Sequence, residues 1–202
     1  MRLFAVAVAV ALALTALVPA GARAADVVRF ADAAPAADRA AVRAALAAGR
    51  VSARRLLRQS GGAIDVEVTT HREPAAVSMM RTTRDGLVLD FSRTHLRGMT
   101  RGVRNQTVWH EIGHVVDLVA LAPEADAAFA EAFTHGARYR SCFSYGGACL
   151  NRAEVFAEQF AYWATGDRRV RSSYEIPSLM GPRVFSGLIA AHADASPPWW
   201  LR

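Results

Sequence analysis

Residues 109–114 read W-H-E-I-G-H, an H-E-x-x-H pattern inside a strongly apolar stretch. In an α-helix, His110 and His114 lie one turn apart on the same face, so both imidazoles can bind one metal ion. Glu111 follows the first histidine, and its carboxylate can take a proton from a water molecule on that metal. Two neutral nitrogen ligands beside a base are what a zinc hydrolase needs. The pattern therefore predicts one bound Zn²⁺ ion and hydrolytic chemistry.

A catalytic zinc site needs a third protein ligand and one open position. The extended pattern H-E-x-x-H-x-x-G-x-x-H is excluded, because Val116 and Ala120 occupy the positions that it reserves for glycine and histidine. Asp117 lies on the same helix face but seven residues after His110, about 10 Å along the helix. That is too far for both to bind one ion at about 2 Å. We expect Asp117 to be either a carboxylate behind the ligands or an ordinary helix residue.

Glu154 and Glu158 lie one turn apart in a second helical pattern whose other face, with Phe156 and Phe160, is apolar. If this helix packs against the first, Glu154 can complete the ligand set. Glu158 can then accept a hydrogen bond from the outer ring nitrogen of a ligand histidine. The alternative is that both glutamates face solvent, as most glutamates on helices do.

The two segments together, H-E-I-G-H-x-x-D and N-x-x-E-x-F-A-E-x-F, resemble the anthrax-lethal-factor-like zinc metallopeptidases, a group that includes secreted Pro-Pro endopeptidases. The resemblance covers about residues 105–165. It implies that His110, His114 and Glu154 bind zinc, that Glu111 is the general base, and that Glu158 supports a ligand. It also implies a zincin-like α+β fold, with helices around a small, mixed, twisted sheet.

The chain departs from this family at one position. The family carries a tyrosine seven residues before the ligand glutamate, which donates a hydrogen bond to the developing oxyanion, but Gly147 stands there. Tyr145, two residues earlier, is our candidate for that role. Tyr139 and Tyr162 are weaker candidates, since Tyr162 lies in an apolar helix and is best explained as a core residue.

The N-terminus predicts export. A nearly uninterrupted apolar run over residues 3–18 ends in an A-x-A pattern at residues 22–24, which is typical of a cleaved signal peptide. An uncleaved anchor is the alternative. We therefore expect a signal peptide over residues 1–24, a secreted single domain over residues 25–202, and no integral membrane segment after cleavage. In an exported protein, Cys142 and Cys149 would form a disulfide, with a cysteine metal site as the alternative.

The formal net charge is +6, and every fixed side-chain cation is an arginine. Because the arginines are scattered without an aromatic-interleaved basic stripe, we expect no nucleic-acid partner. We predict a monomeric zinc endopeptidase acting on a peptide or protein substrate. The alternative is a non-catalytic zincin-fold protein that binds a partner at the cell surface, and only the missing tyrosine at position 147 favours it.

The elements that would position these residues can be predicted from periodicity and turn residues. An Ala-rich lead-in over residues 26–34 precedes two helices over residues 35–58, separated at Gly49. Strands are expected over residues 63–70, 76–82 and 87–91, with a turn at Asp85-Gly86. The H-E-x-x-H helix should begin at a cap on Asn105 or Thr107 and end near Leu121. Further helices are expected over residues 124–134, 151–165 and 181–192.

Overall fold

A computed structural model of the protein describes residues 28–59, 64–69, 78–83, 86–119, 121, 128–129, 152–167 and 180–192. These residues form a mixed α+β fold. Its elements follow in the order β1 (Val28–Phe30), α1 (Ala36–Ala48), α2 (Val51–Gln59), β2 (Ile64–Thr69), β3 (Ser78–Thr83), β4 (Gly86–Ser92), α3 (Arg93–Gly98), α4 (Arg101–Val119), α5 (Arg152–Thr165) and α6 (Pro182–His192).

The four strands form one mixed sheet in the order β1-β2-β4-β3. Strands β1, β2 and β4 run parallel, and β3 pairs antiparallel with β4 at the edge of the sheet. Leu87, Leu89 and Phe91 alternate along β4 and are buried in the core. Because successive side chains of a strand point to opposite faces, these three define the face that packs against the helices.

Helices α4 and α5 are the central pair of the fold and pack extensively against each other, while α1 and β3 also contact α4. Almost every residue of α4 from Val108 to Val116 is buried, and so is all of α5 from Val155 to Ala164. A helix that is buried all round belongs to a core rather than to a surface. Polar side chains within these two buried stretches therefore lie inside the protein, where they need partners.

Several predicted elements are confirmed. The chain breaks between α1 and α2 at Gly49, and β2, β3 and β4 lie within two residues of the predicted strands. Helices α5 and α6 match the predicted ranges 151–165 and 181–192 to within one residue. Of the helix predicted over 124–134 the structure describes residues 128–129 alone, and both are helical.

Two predictions were wrong, and one helix was missed. The lead-in over residues 26–34 contains β1, and the short helix α3 was not predicted. Helix α4 begins at Arg101 rather than at a cap on Asn105 or Thr107, because the backbone N–H of Val103 donates to the Thr100 hydroxyl at 3.4 Å. A threonine immediately before the first turn satisfies an end group of the helix and fixes the earlier start.

Among the residues described, no helix combines the length and the apolar character that crossing a bilayer requires. The predicted signal peptide over residues 1–24 lies outside the described residues, as do Tyr139, Tyr145, Gly147, Cys142 and Cys149.

Candidate metal centre

The two histidines of the H-E-x-x-H segment lie together on α4. Their Nε2 atoms are 3.2 Å apart, and the rings meet edge to face with centroids separated by 4.8 Å. His110 is buried and His114 half-buried. The one-turn spacing on a single rigid helix is the reason for this approach, since residues i and i+4 share a face.

Helix α5 places a carboxylate against this pair. Oε2 of Glu154 lies 3.1 Å from Nε2 of His110 and 3.6 Å from Nε2 of His114. The three donor atoms form a triangle with edges of 3.1, 3.2 and 3.6 Å. A tetrahedral ion with bonds of about 2.0–2.1 Å separates its ligand atoms by roughly 3.3 Å. The group formed by His110, His114 and Glu154 could therefore hold a metal ion.

A second glutamate of α5 fixes the outer side of His110. Nδ1 of His110 donates to Oε2 of Glu158 at 3.0 Å, and both side chains are buried. Nε2 of Gln106 lies 3.5 Å from Oε1 of Glu158, and the Thr165 hydroxyl lies 3.1 Å from Oε1 of Gln106. A proton held on Nδ1 leaves Nε2 as the nitrogen that can bind a metal.

The two glutamates govern the protonation of the histidine between them. Burial alone would lower the pKa of His110, but hydrogen bonds to Glu154 and Glu158 raise it to about 10. For Glu154, burial would raise the pKa, but hydrogen bonds from His110 and His114 hold it well below its usual range. The raised pKa of His110 and the lowered pKa of Glu154 together favour an ionised Glu154 beside a protonated His110.

Glu111 is buried on α4, and its two carboxylate oxygens differ. Oε1 accepts a hydrogen bond from the Ser78 hydroxyl on β3 at 2.6 Å. Oε2 is also buried, and it has no hydrogen-bond partner among the described residues. Sequence reasoning missed Ser78, because a serine 33 residues away from the motif carries no spacing signal.

A glycine allows the two central helices to approach closely. A Cβ atom placed on Gly113 would lie 2.7 Å from Cα of Ala157, which is closer than real atoms pack. Gly113 precedes His114, and Ala157 precedes Glu158. This contact therefore sets the distance between the helix that carries the histidines and the helix that carries the glutamates.

The structure thus brings together His110, His114, Glu154 and Glu158, with Glu111 on the same helix as the histidines. Asp117 is half-buried further along α4 and is not part of the three-residue group. Tyr162 is buried on α5, which confirms its interpretation as a core residue.

Neither a scan against protein-family models nor a search of curated proteins finds a match to this chain.

Proposed function

We propose that this protein is an exported zinc-dependent endopeptidase with a zincin-like fold. The observation that carries the proposal is the convergence of two imidazole nitrogens and one carboxylate oxygen at 3.1–3.6 Å from one another. The resemblance of the two motifs to the anthrax-lethal-factor-like metallopeptidases supports it, and so does the sequence pattern of a signal peptide. A mixed sheet beside two packed helices is compatible with that fold.

The donor set favours zinc over other divalent ions. Mg²⁺ and Ca²⁺ prefer sites made of oxygen atoms, whereas two imidazoles and one carboxylate are a ligand set known from zinc hydrolases. Three protein ligands also leave one coordination position open, which a catalytic site requires and a structural site does not. When bound, Zn²⁺ would lower the pKa of a coordinated water and polarise the scissile carbonyl.

The residues of the chain have distinct tasks in the proposed reaction. Glu111 takes one proton from the attacking water as the water oxygen bonds to the carbonyl carbon, and it then delivers that proton to the departing amine. One peptide bond and one water thus yield one carboxylic acid and one amine. Glu158 keeps His110 in the tautomer that presents Nε2. Tyr145 would donate a hydrogen bond to the oxyanion.

The test is digestion of a peptide library by the purified protein, with and without a chelator. We expect cleavage that stops on chelation and returns with added zinc. Glu111→Gln should keep its zinc and lose cleavage by about a hundredfold to ten-thousandfold, because the general base is gone. Asp32→Asn removes a carboxylate at an exposed position and serves as the control with unchanged activity.

Two results would contradict the proposal. A Glu111→Gln variant with full activity would exclude the general-base role. A wild-type protein that binds zinc and cleaves no peptide would favour the alternative function, a metal-containing protein that binds a partner without turnover. Gly147, which replaces the family tyrosine, is the observation that favours this alternative.

A further inference from the structure

We propose that Ser78 is a positioning residue for Glu111, and that it determines which carboxylate oxygen receives the proton. The inference rests on the proposed function, since it assigns Ser78 a part in the same reaction. It starts from the asymmetry of the Glu111 carboxylate. Oε1 is held by the Ser78 hydroxyl at 2.6 Å, whereas Oε2 is buried without a partner among the described residues.

The register of the sheet explains why the Ser78 side chain reaches α4. Ser78 lies opposite Phe91 and Met80 lies opposite Leu89 in the antiparallel pair of β3 and β4. Phe91 and Leu89 are buried on the face that packs against the helices, and Met80 packs against the same core. Directly opposed residues share a face, so Ser78 also points toward the helices. Because β3 is hydrogen-bonded to β4, the sheet fixes the position of the Ser78 backbone and so of its hydroxyl.

The direction of the hydrogen bond follows from the chemistry of the two groups. An ionised carboxylate can only accept, so the Ser78 hydroxyl donates. Hydrogen bonds of this charge-assisted kind are short and stronger than those between neutral groups. A buried carboxylate oxygen without a partner costs free energy. In the proposed reaction this cost has a use, because Oε2 has no other hydrogen bond among the described residues that competes for the incoming proton.

Loss of the Ser78–Glu111 hydrogen bond should lower turnover more than it weakens substrate binding. Without the Ser78 hydroxyl, the Glu111 carboxylate can rotate, and the free oxygen spends less time aligned with the attacking water. Supporting residues of this kind typically contribute about 10-fold to 100-fold to activity. We therefore expect Ser78→Ala to lower kcat about tenfold or more, with KM and bound zinc unchanged.

The first experiment compares three variants by steady-state kinetics on a peptide that the wild type cleaves. Ser78→Thr keeps the hydroxyl and should restore most of the kcat lost in Ser78→Ala. Thr82→Ala removes a hydroxyl from an exposed position on the same strand and should behave as the wild type. If Ser78→Ala keeps the wild-type kcat while the wild type is an active, zinc-dependent peptidase, the positioning role is overturned and the proposed function stands.

A second experiment needs no catalysis. In the metal-free protein, Ser78→Ala should lower Tm, because it leaves the buried Glu111 carboxylate without its donor. In a Glu111→Ala background the same change should leave Tm nearly unaltered, which is the signature of coupled residues. If Ser78→Ala lowers Tm equally in the wild type and in the Glu111→Ala background, the proposed hydrogen bond between Ser78 and Glu111 is excluded. The two substitutions could be coupled in Tm while the wild type cleaves no peptide. In that case the proposed function is wrong, and Ser78 has no catalytic role.

Discussion

Gly113 of α4, the histidine helix, packs against Ala157 of α5, the glutamate helix. A Cβ atom on Gly113 would lie 2.7 Å from Cα of Ala157. The obstacle is backbone, which cannot rotate aside as a side chain can. The identity of one glycine thus fixes the separation of two helices, one of which carries His110 and His114 and the other Glu154 and Glu158.

Gly113→Ala should push α4 and α5 apart and move Glu154 away from the two histidines. We expect a loss of about 1–3 kcal/mol in the free energy of unfolding, the usual cost of overpacking a core, together with weaker zinc binding. Chemical denaturation and a zinc competition assay measure the two effects. Gly187→Ala is the matched control on α6, where nothing lies within 4 Å of the new Cβ. A Gly113→Ala protein with wild-type stability would show that the helices can separate without cost.

Glu158→Gln should weaken zinc binding by about 10-fold to 100-fold, because the charged acceptor for Nδ1 of His110 becomes a neutral amide. The ligand atoms themselves are unchanged, so the bound metal should keep its coordination number in X-ray absorption spectra. Glu154→Gln, which changes a proposed direct ligand, should reduce zinc affinity more. Equal affinities for wild type and Glu158→Gln would exclude the supporting role of Glu158.

Zinc binding should release protons, and zinc affinity should fall as the pH falls. His110, with a pKa raised to about 10, is protonated near neutral pH in the metal-free protein, and a metal ligand must give up that proton. Calorimetric titration with zinc in buffers of different ionisation enthalpy counts the released protons. Glu154→Gln removes one cause of the raised pKa and should reduce the count at the same pH. Zinc binding without proton release near pH 7 would contradict the protonation of His110.

The raised pKa of His110 also predicts how the stability of the metal-free protein changes at high pH. Because the pKa of His110 is higher in the folded state than its unfolded value of about 6.5, its stabilising contribution is complete below that pH and disappears as the pH rises through about 10. Tm of the chelated protein should therefore decline between about pH 7 and pH 10. The zinc-loaded protein, in which His110 is already deprotonated at Nε2, should not show this decline. If Tm of the chelated protein and Tm of the zinc-loaded protein change with pH in the same way, the raised pKa of His110 is refuted.

Asp38→Asn should destabilise the fold without changing the metal centre. Asp38 is buried on α1, and its carboxylate pairs with Arg93 and Arg97 of α3 at 3.0–3.1 Å. Since Arg97 is itself more than half exposed, solvent weakens the pair, and we expect a loss of about 1–2 kcal/mol in unfolding free energy. Asp32→Asn makes the same chemical change at an exposed site and should cost nothing measurable. A reduced zinc affinity in Asp38→Asn would show unexpected coupling to the site.

Local patterns were sufficient to predict the elements with a clear period. Alternation in residues 64–69 and helical spacing in α1, α2 and α5 were visible in the sequence. The need for a glycine at position 49 has a second cause that the pattern does not reveal. There, a Cβ would lie 2.0 Å from the ring of Trp109. Strand β1, with three residues, and α3, with six, are too short to display a period. Their positions depend on partners elsewhere in the chain, β2 for the strand and Asp38 for the helix.

The candidate site also contains residues that local spacing predicts and residues whose positions depend on tertiary packing. The approach of His110 to His114 follows from helix geometry alone, so spacing was enough. The approach of Glu154 depends on how two helices pack, and the sequence left open whether that glutamate faces solvent. Ser78 was missed because only the pairing of β3 with β4 turns its hydroxyl toward Glu111.

The position of His110 between two carboxylates also bears on how the protein matures. Many small zinc domains remain unfolded until the metal arrives, because their ligands have no other partners. Here the ligand side chains are partners for one another: Nε2 of His110 lies 3.1 Å from Oε2 of Glu154, and Nδ1 lies 3.0 Å from Oε2 of Glu158. We therefore expect the chain to complete its core first and to acquire zinc afterwards, in exchange for a proton. Under the proposed function, such an exported protein would need no metal while it folds, and the availability of zinc outside the cell would decide when it becomes active.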